Sequence, residues 1–202
     1  MATKTHPTRQ RLLDTAVELL GTVAPNELTV ERVLEESGVS IGSLYHHFSG
    51  FPDLVNHALV VRYAEFLNLA NSGLRRAVDE SSNPDELREN VNTLMDVTHA
   101  DSYRPIRTLR VWVAAQAAVN PALRELLAAE QARQTAEMAA VIRDAQARGW
   151  VRKTHPADVM AVFIQSYTLG RVVDDISQTH VDNTEWRAFM KDMVERTILT
   201  VD

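Results

Sequence analysis

Apolar residues recur at intervals of three and four along most of this chain, a spacing that predicts helices rather than strands. Leu12, Leu13, Ala16, Val17 and Leu20 stripe a first helix from Arg9 to about Gly21. Pro25-Asn26 supplies turn chemistry in the loop from Gly21 to Leu28. Val30, Val33 and Leu34 then share one face of a short helix, and Ser37-Gly38-Val39-Ser40 breaks the pattern. Gly38 suits the left-handed turn that ends a helix, having no Cβ to clash, and Ser40 can cap the next one. That next helix, Ser40 to Phe48, sets Ile41, Leu44 and Phe48 near one side. Ser43, Tyr45, His46 and His47 lie largely elsewhere.

Pro52 is pre-set for the first turn of a long helix reaching about Arg76, with Leu54, Ala58, Leu59, Phe66 and Ala70 at helical spacing. Asn83 caps the next helix, Pro84 takes its first position, and Glu86 follows three residues after the cap. That helix runs to about Ala100, and another spans Tyr103 to Val119. Asn120-Pro121 starts an alanine-rich helix that Gly149 stops after Arg148. A helix from Ala157 to about Ser177 has no charge between Val159 and Gly170, so it needs cover on both sides. Asp182 to Glu185 reads as a last capping box, opening a helix over 184–200. With no strand pattern of any length, the expectation is an all-α chain of about nine helices.

Two short helices joined by a glycine turn are a helix-turn-helix, whose second helix enters the DNA major groove. Thr29, Val33, Gly38-Val39-Ser40, Gly42, Leu44-Tyr45, His47-Phe48 and Leu54 resemble the DNA-binding domain of the TetR family of bacterial transcriptional regulators. The resemblance implies a reader over 1–51 and a helical ligand-binding and dimerisation domain over 52–202. It also implies a function: a ligand-responsive regulator, by default a repressor released from a palindromic operator on double-stranded DNA. Carried onto this sequence, Ser40, Ile41, Gly42 and Ser43 would open the reading helix toward bases or phosphates. Ile41 would meet a thymine methyl, and Gly42 would allow close backbone approach. Tyr45 and His47 match phosphate-contacting positions, Thr29 would cap the preceding helix and reach a phosphate, and His46 stands beside them.

Composition changes this picture in one respect. The 202-residue chain has a net charge of −6, whereas DNA affinity usually comes largely from cations meeting phosphates. Residues 1–51 carry four Lys/Arg (Lys4, Arg9, Arg11, Arg32) against six Asp/Glu. The lysine that the family usually places three residues after the Phe is replaced by Phe51. Binding is therefore expected to rest on local placement, with Lys4, Arg9 and Arg11 as phosphate candidates. It should also be weaker and more pH-sensitive than usual, because histidines titrate near neutrality. The alternative is a helical small-molecule-binding or protein-interaction module with weak or lost DNA binding.

For the second domain the resemblance implies a small-molecule site between helices. Tyr63, Phe66, Leu67, Met95, Trp112, Gln116, Met138, Ile142, Phe163 and Tyr167 supply plausible walls for a largely apolar effector. Arg104, Arg107 and Arg110 recur every three residues and either attract an acidic ligand or pair with carboxylates. The last two helices are apolar enough that a second copy would cover them, giving a homodimer through a four-helix interface.

Other chemistry finds little support. There is no Gly-rich phosphate loop, His-Glu-x-x-His or Gly-x-Ser-x-Gly, so no catalytic residues are expected. His46 and His47 point about 100° apart on a helix and make a poor metal pair. With no Cys, no cofactor pattern and no apolar run long enough to span a membrane, neither cofactor, metal nor membrane is expected, and residence is expected to be cytoplasmic.

Overall fold

The computed structural model describes residues 6–199. These form nine helices of seven residues or more: α1 Pro7–Leu19, α2 Val30–Ser37, α3 Ile41–His47, α4 Phe51–Glu80, α5 Pro84–Thr98, α6 Arg104–Val119, α7 Pro121–Ala147, α8 Ala157–Gly170 and α9 Asn183–Thr197. A four-residue helical turn, Val172–Asp175, lies between α8 and α9. Among the described residues the only strand-like feature is a lone bridge between Val151 and Leu199. The all-α expectation of about nine helices holds. The helix expected to continue to Ser177 instead ends at Gly170 and resumes for one turn, where Arg171 bonds Asp174 and Asn183.

The termini form where the sequence places capping chemistry. Asn83 Oδ1 accepts from the Glu86 amide at 2.9 Å, and Asp182 Oδ1 accepts from Thr184 and Glu185 at 2.8 and 3.0 Å. Those amide bonds hold the Asp182 carboxyl below its ordinary pKa. Gly149 takes φ +81° after α7, a conformation that L side chains rarely adopt.

The chain packs as two compact units. One comprises the residues up to Ala64 together with Val113–Glu130; the other comprises Glu65–Trp112 and the chain from Gln131 on. In the first, Leu12, Ala16, Val33, Leu44, Phe48, Leu54 and Ala58 are buried, so α1 props the helix-turn-helix as its stripe predicts. Asn120 caps α7 through the Leu123 amide at 3.1 Å and donates to Asn56 of α4 at 3.2 Å. In the second unit Met95, Met138, Ile142, Met160, Met190 and Val194 are core residues. Gln134, with no exposed surface, receives the Asn71 amide at 2.8 Å and donates to Asn68 at 2.6 Å. Those bonds fix the register of α7 against α4, because a buried amide left unpaired would cost about 1–3 kcal/mol.

Candidate DNA-reading face and effector cavity

The turn between α2 and α3 is built by short-range bonds. Thr29 Oγ1 accepts from the Arg32 amide at 3.3 Å and so caps α2. Gly38 sits at φ +63°, ψ 23°, reversing the chain. Ser40 Oγ accepts from the Ser43 amide at 3.3 Å and meets Ser43 Oγ at 3.0 Å. This cap orients α3 so that Leu44 and Phe48 are 0% and 3% exposed while Ile41 and Tyr45 are 51% and 62% exposed. Gly42 and His46 are exposed as well, and Ser43 and His47 are half-buried. The helix therefore offers a methyl-rich edge, a bare backbone, hydroxyls and imidazoles to one side. These are groups that can meet base edges and phosphate oxygens.

Two partners of this face are invisible in local spacing. His6 caps α1 through the Thr8 amide, and its ring lies 4.7 Å from that of His47, which in turn is 4.8 Å from His46. Desolvation, then the neighbouring His6, His46 and Arg9, lower the His47 pKa. Arg9, expected as a phosphate candidate, lays its guanidinium 4.8 Å from the Phe48 ring centroid. Arg11 is exposed, and Lys4 lies outside the described residues. Phe51 opens α4 and is half-buried.

The second unit contains a cavity of about 80 Å³. Ala70, Leu74 and Val78 of α4 line it, with Leu87, Val91, Leu94, Met95 and Thr98 of α5. Met138, Val141, Ile142 and Ala145 of α7, Ile164, Tyr167 and Thr168 of α8, and Val194 of α9 complete most of the wall. Met95, Met138, Ile142 and Tyr167 of the expected wall residues are brought together there. The other six lie elsewhere. Tyr63 and Leu67 are buried in packing, and Phe66 is buried edge-on to Tyr103 at 5.5 Å with Arg110 over its ring. Trp112 and Phe163 are 36% and 40% exposed, and Gln116 is half-buried in the first unit. Thr98 and Thr168 escaped sequence reasoning because a single hydroxyl on an apolar helix carries no periodic signal. A second cleft of about 260 Å³, walled by α4 and α5 residues such as Arg76, Glu80 and Asn90, opens more to solvent.

The arginine triplet makes no cavity wall. Arg107 chelates Asp175 through two bonds of 2.7 and 2.8 Å, each side chain being 2% exposed. Arg104 adds a contact to Asp175 at 3.3 Å. Burial alone would raise the Asp175 carboxyl. The bonds and charge of Arg107, with the charges of Arg104 and Arg171, outweigh it and hold the pKa below the ordinary value. Among the described residues no helix is long and apolar enough to cross a membrane, and no group of three or more His, Asp and Glu gathers as for a metal.

Residues 12–58 match the family model for bacterial regulatory proteins of the tetR family. No curated protein matches the chain. Salmonella enterica GusR is similar over 96% of this chain and 97% of its own at 24% identity, with a TM-score of 0.63. A candidate transcriptional regulator from Saccharomonospora viridis, solved in complex with choline, is 19% identical over 96% and 98% of the two chains (TM-score 0.65). A candidate TetR-family regulator from Mesorhizobium loti is 14% identical over 96% of each chain (TM-score 0.70). At such identities these likenesses show the fold, which is TetR-like.

Proposed function

We propose that this chain, a tetR-family reader on a TetR-like helical fold, is a ligand-responsive DNA-binding transcriptional regulator: a homodimeric repressor released from a palindromic operator by a small, largely apolar molecule. One observation carries the reading. Helix α3 is anchored by Leu44 and Phe48 and leaves Ile41, Gly42, Tyr45 and His46 open to solvent. In a major groove, Ile41 meets a thymine methyl, Gly42 allows close approach, and Ser40 and Ser43 bond to bases or phosphates. Thr29, Tyr45, His46 and His47 hold the backbone. The reader occupies 1–51 and the effector and dimerisation body 52–202. This is a regulator rather than an enzyme, and it works in the cytoplasm.

The dimer is supported by an apolar face on α8. Val159, Val162 and Phe163 are 57%, 52% and 40% exposed at spacings of three and one, and Phe189 of α9 is 61% exposed. Exposed apolar residues along one helix face mark an interaction site, and a second copy across a two-fold axis covers that face with itself. Two reading helices then meet half-sites about 34–36 Å apart. The effector favours a conformer that breaks this spacing, and by linkage DNA weakens effector binding equally. Helix α4 is the lever: Leu54 and Ala58 are buried directly after the reading helix, and Ala70, Leu74 and Val78 of the same helix line the cavity.

One set of observations favours a second reading, a binding module with weak or lost DNA affinity. Helix α3 carries no Lys or Arg, and Phe51 stands where the family has its lysine. A mobility shift with the promoter DNA beside the chain's own gene separates the two. Retardation that weakens with salt and protects two half-sites supports the regulator. A fully folded dimer that never retards this DNA supports the second reading.

A further inference from the structure

We infer that the cavity of the second unit takes a small uncharged molecule, mostly hydrocarbon, with one oxygen that accepts a hydrogen bond from the Tyr167 hydroxyl. This rests on the effector role proposed above for that cavity. Its wall carries no ionisable group other than the Tyr167 phenol. The nearby charges are engaged elsewhere: Arg107 holds Asp175, and Arg171 bonds Asn183 at 2.6 Å and Asp174 at 3.3 Å. His99 stacks on the Tyr167 ring at 5.6 Å, and burial lowers its pKa, so the group behind the ring is neutral at pH 7. A charged guest would therefore be desolvated with no counterion, at a cost that an apolar wall cannot offset.

The polar groups that remain select one kind of guest oxygen. Thr98 donates to the Leu94 carbonyl at 3.0 Å, and Thr168 donates to the Ile164 and Gln165 carbonyls at 3.1 and 3.0 Å. Both protons are committed to the helix backbone. Tyr167 makes no hydrogen bond among the described residues, although burial pushes its phenol up to about 12. Tyr167 is half-buried on the cavity wall, and a guest oxygen supplies an acceptor for its hydroxyl without displacing one already in place. The volume sets the scale. A benzene-binding cavity measures about 150 Å³, and this one is about 80 Å³. Guests of roughly six heavy atoms fit once Met95 and Met138, which have three flexible torsions each, yield.

Cyclopentanol, methylcyclopentane, cyclopentylammonium and cyclopentanecarboxylate share one shape and differ in the polar group. Calorimetric titration of the full-length chain should find cyclopentanol binding at least tenfold tighter than either ion. Tyr167→Phe should weaken cyclopentanol binding about tenfold while leaving methylcyclopentane within twofold, and the retained hydrocarbon affinity shows that the variant is folded. Ions that bind as well as the alcohol, an alcohol indifferent to Tyr167→Phe, or no binding by any probe would each overturn the inference. The promoter mobility shift separates this from the reading it rests on. Cyclopentanol that binds as described without releasing promoter DNA supports the ligand class and removes the switch. Intact DNA binding with no bound probe removes the ligand class and leaves the regulator.

Discussion

Asp175→Asn tests whether the second unit depends on a buried charge pair. The substitution keeps the shape and removes the negative charge, leaving Arg107, 2% exposed, without its counterion. Breaking a buried pair in this way costs about 3–5 kcal/mol, because the surviving charge remains desolvated. For a chain of this size each kcal/mol moves Tm by about 2–4 °C, so a drop on the order of 6–20 °C is expected. Arg104 is 41% exposed and retains Asp101, so its loss of Asp175 adds little. Replacing both partners, Arg107→Met with Asp175→Leu, should return stability to within about 1–2 kcal/mol of the parent, since no charge is then stranded. The pH dependence carries a definite sign. The folded Asp175 pKa is lowered, so its contribution is complete above the unfolded value of about 3.9 and is lost as pH falls through the folded value. Urea unfolding at pH 7 and at pH 3 measures both effects. A single variant within about 1 kcal/mol of the parent at pH 7, or a double variant as unstable as the single, would refute the reasoning.

Tyr45→Phe should weaken promoter DNA binding about tenfold across sequences while leaving Tm unchanged, since the side chain is 62% exposed; an unaltered mobility shift removes its phosphate role. DNA affinity should rise as pH falls from 8 to 6, because DNA favours the charged form of His47. The lowered His47 pKa places that residue's share below its ordinary 6.5, and a flat affinity profile removes the histidine contribution. Gly38→Val forces a β-branched residue to φ +63° and should cost at least about 1–2 kcal/mol in thermal unfolding. Gly73→Ala drives a Cβ into Leu94 Cδ1, so Leu94 must turn away from it. A gain in helix propensity of about 1 kcal/mol offsets the strain, and the readout is weaker cyclopentanol binding from an altered cavity wall.

The helix-turn-helix was legible in the sequence because its determinants are local. Thr29 reaches Arg32, Ser40 reaches Ser43, and Gly38 turns the chain by its own φ, all within a few residues. The same holds for the caps at Asn83 and Asp182 and for the buried stripe of α1. The cavity was legible only in part. Helical periodicity says that Met95, Phe66 and Phe163 each have an apolar neighbourhood, but not which neighbourhood it is. Packing sent Met95 to the cavity wall, Phe66 beneath Arg110, and Phe163 to the surface. Likewise, nothing in the spacing joins His6 to His47, or Arg107 to Asp175 across 68 positions. Hydrogen-bond caps and the 3.6-residue repeat act over one or two turns, so the sequence by itself determined the helices, the turn between α2 and α3 and the exposed side of α3. Which faces meet depends on the shapes of side chains far apart in the chain, a condition with no periodic trace, and only the tertiary structure decided it.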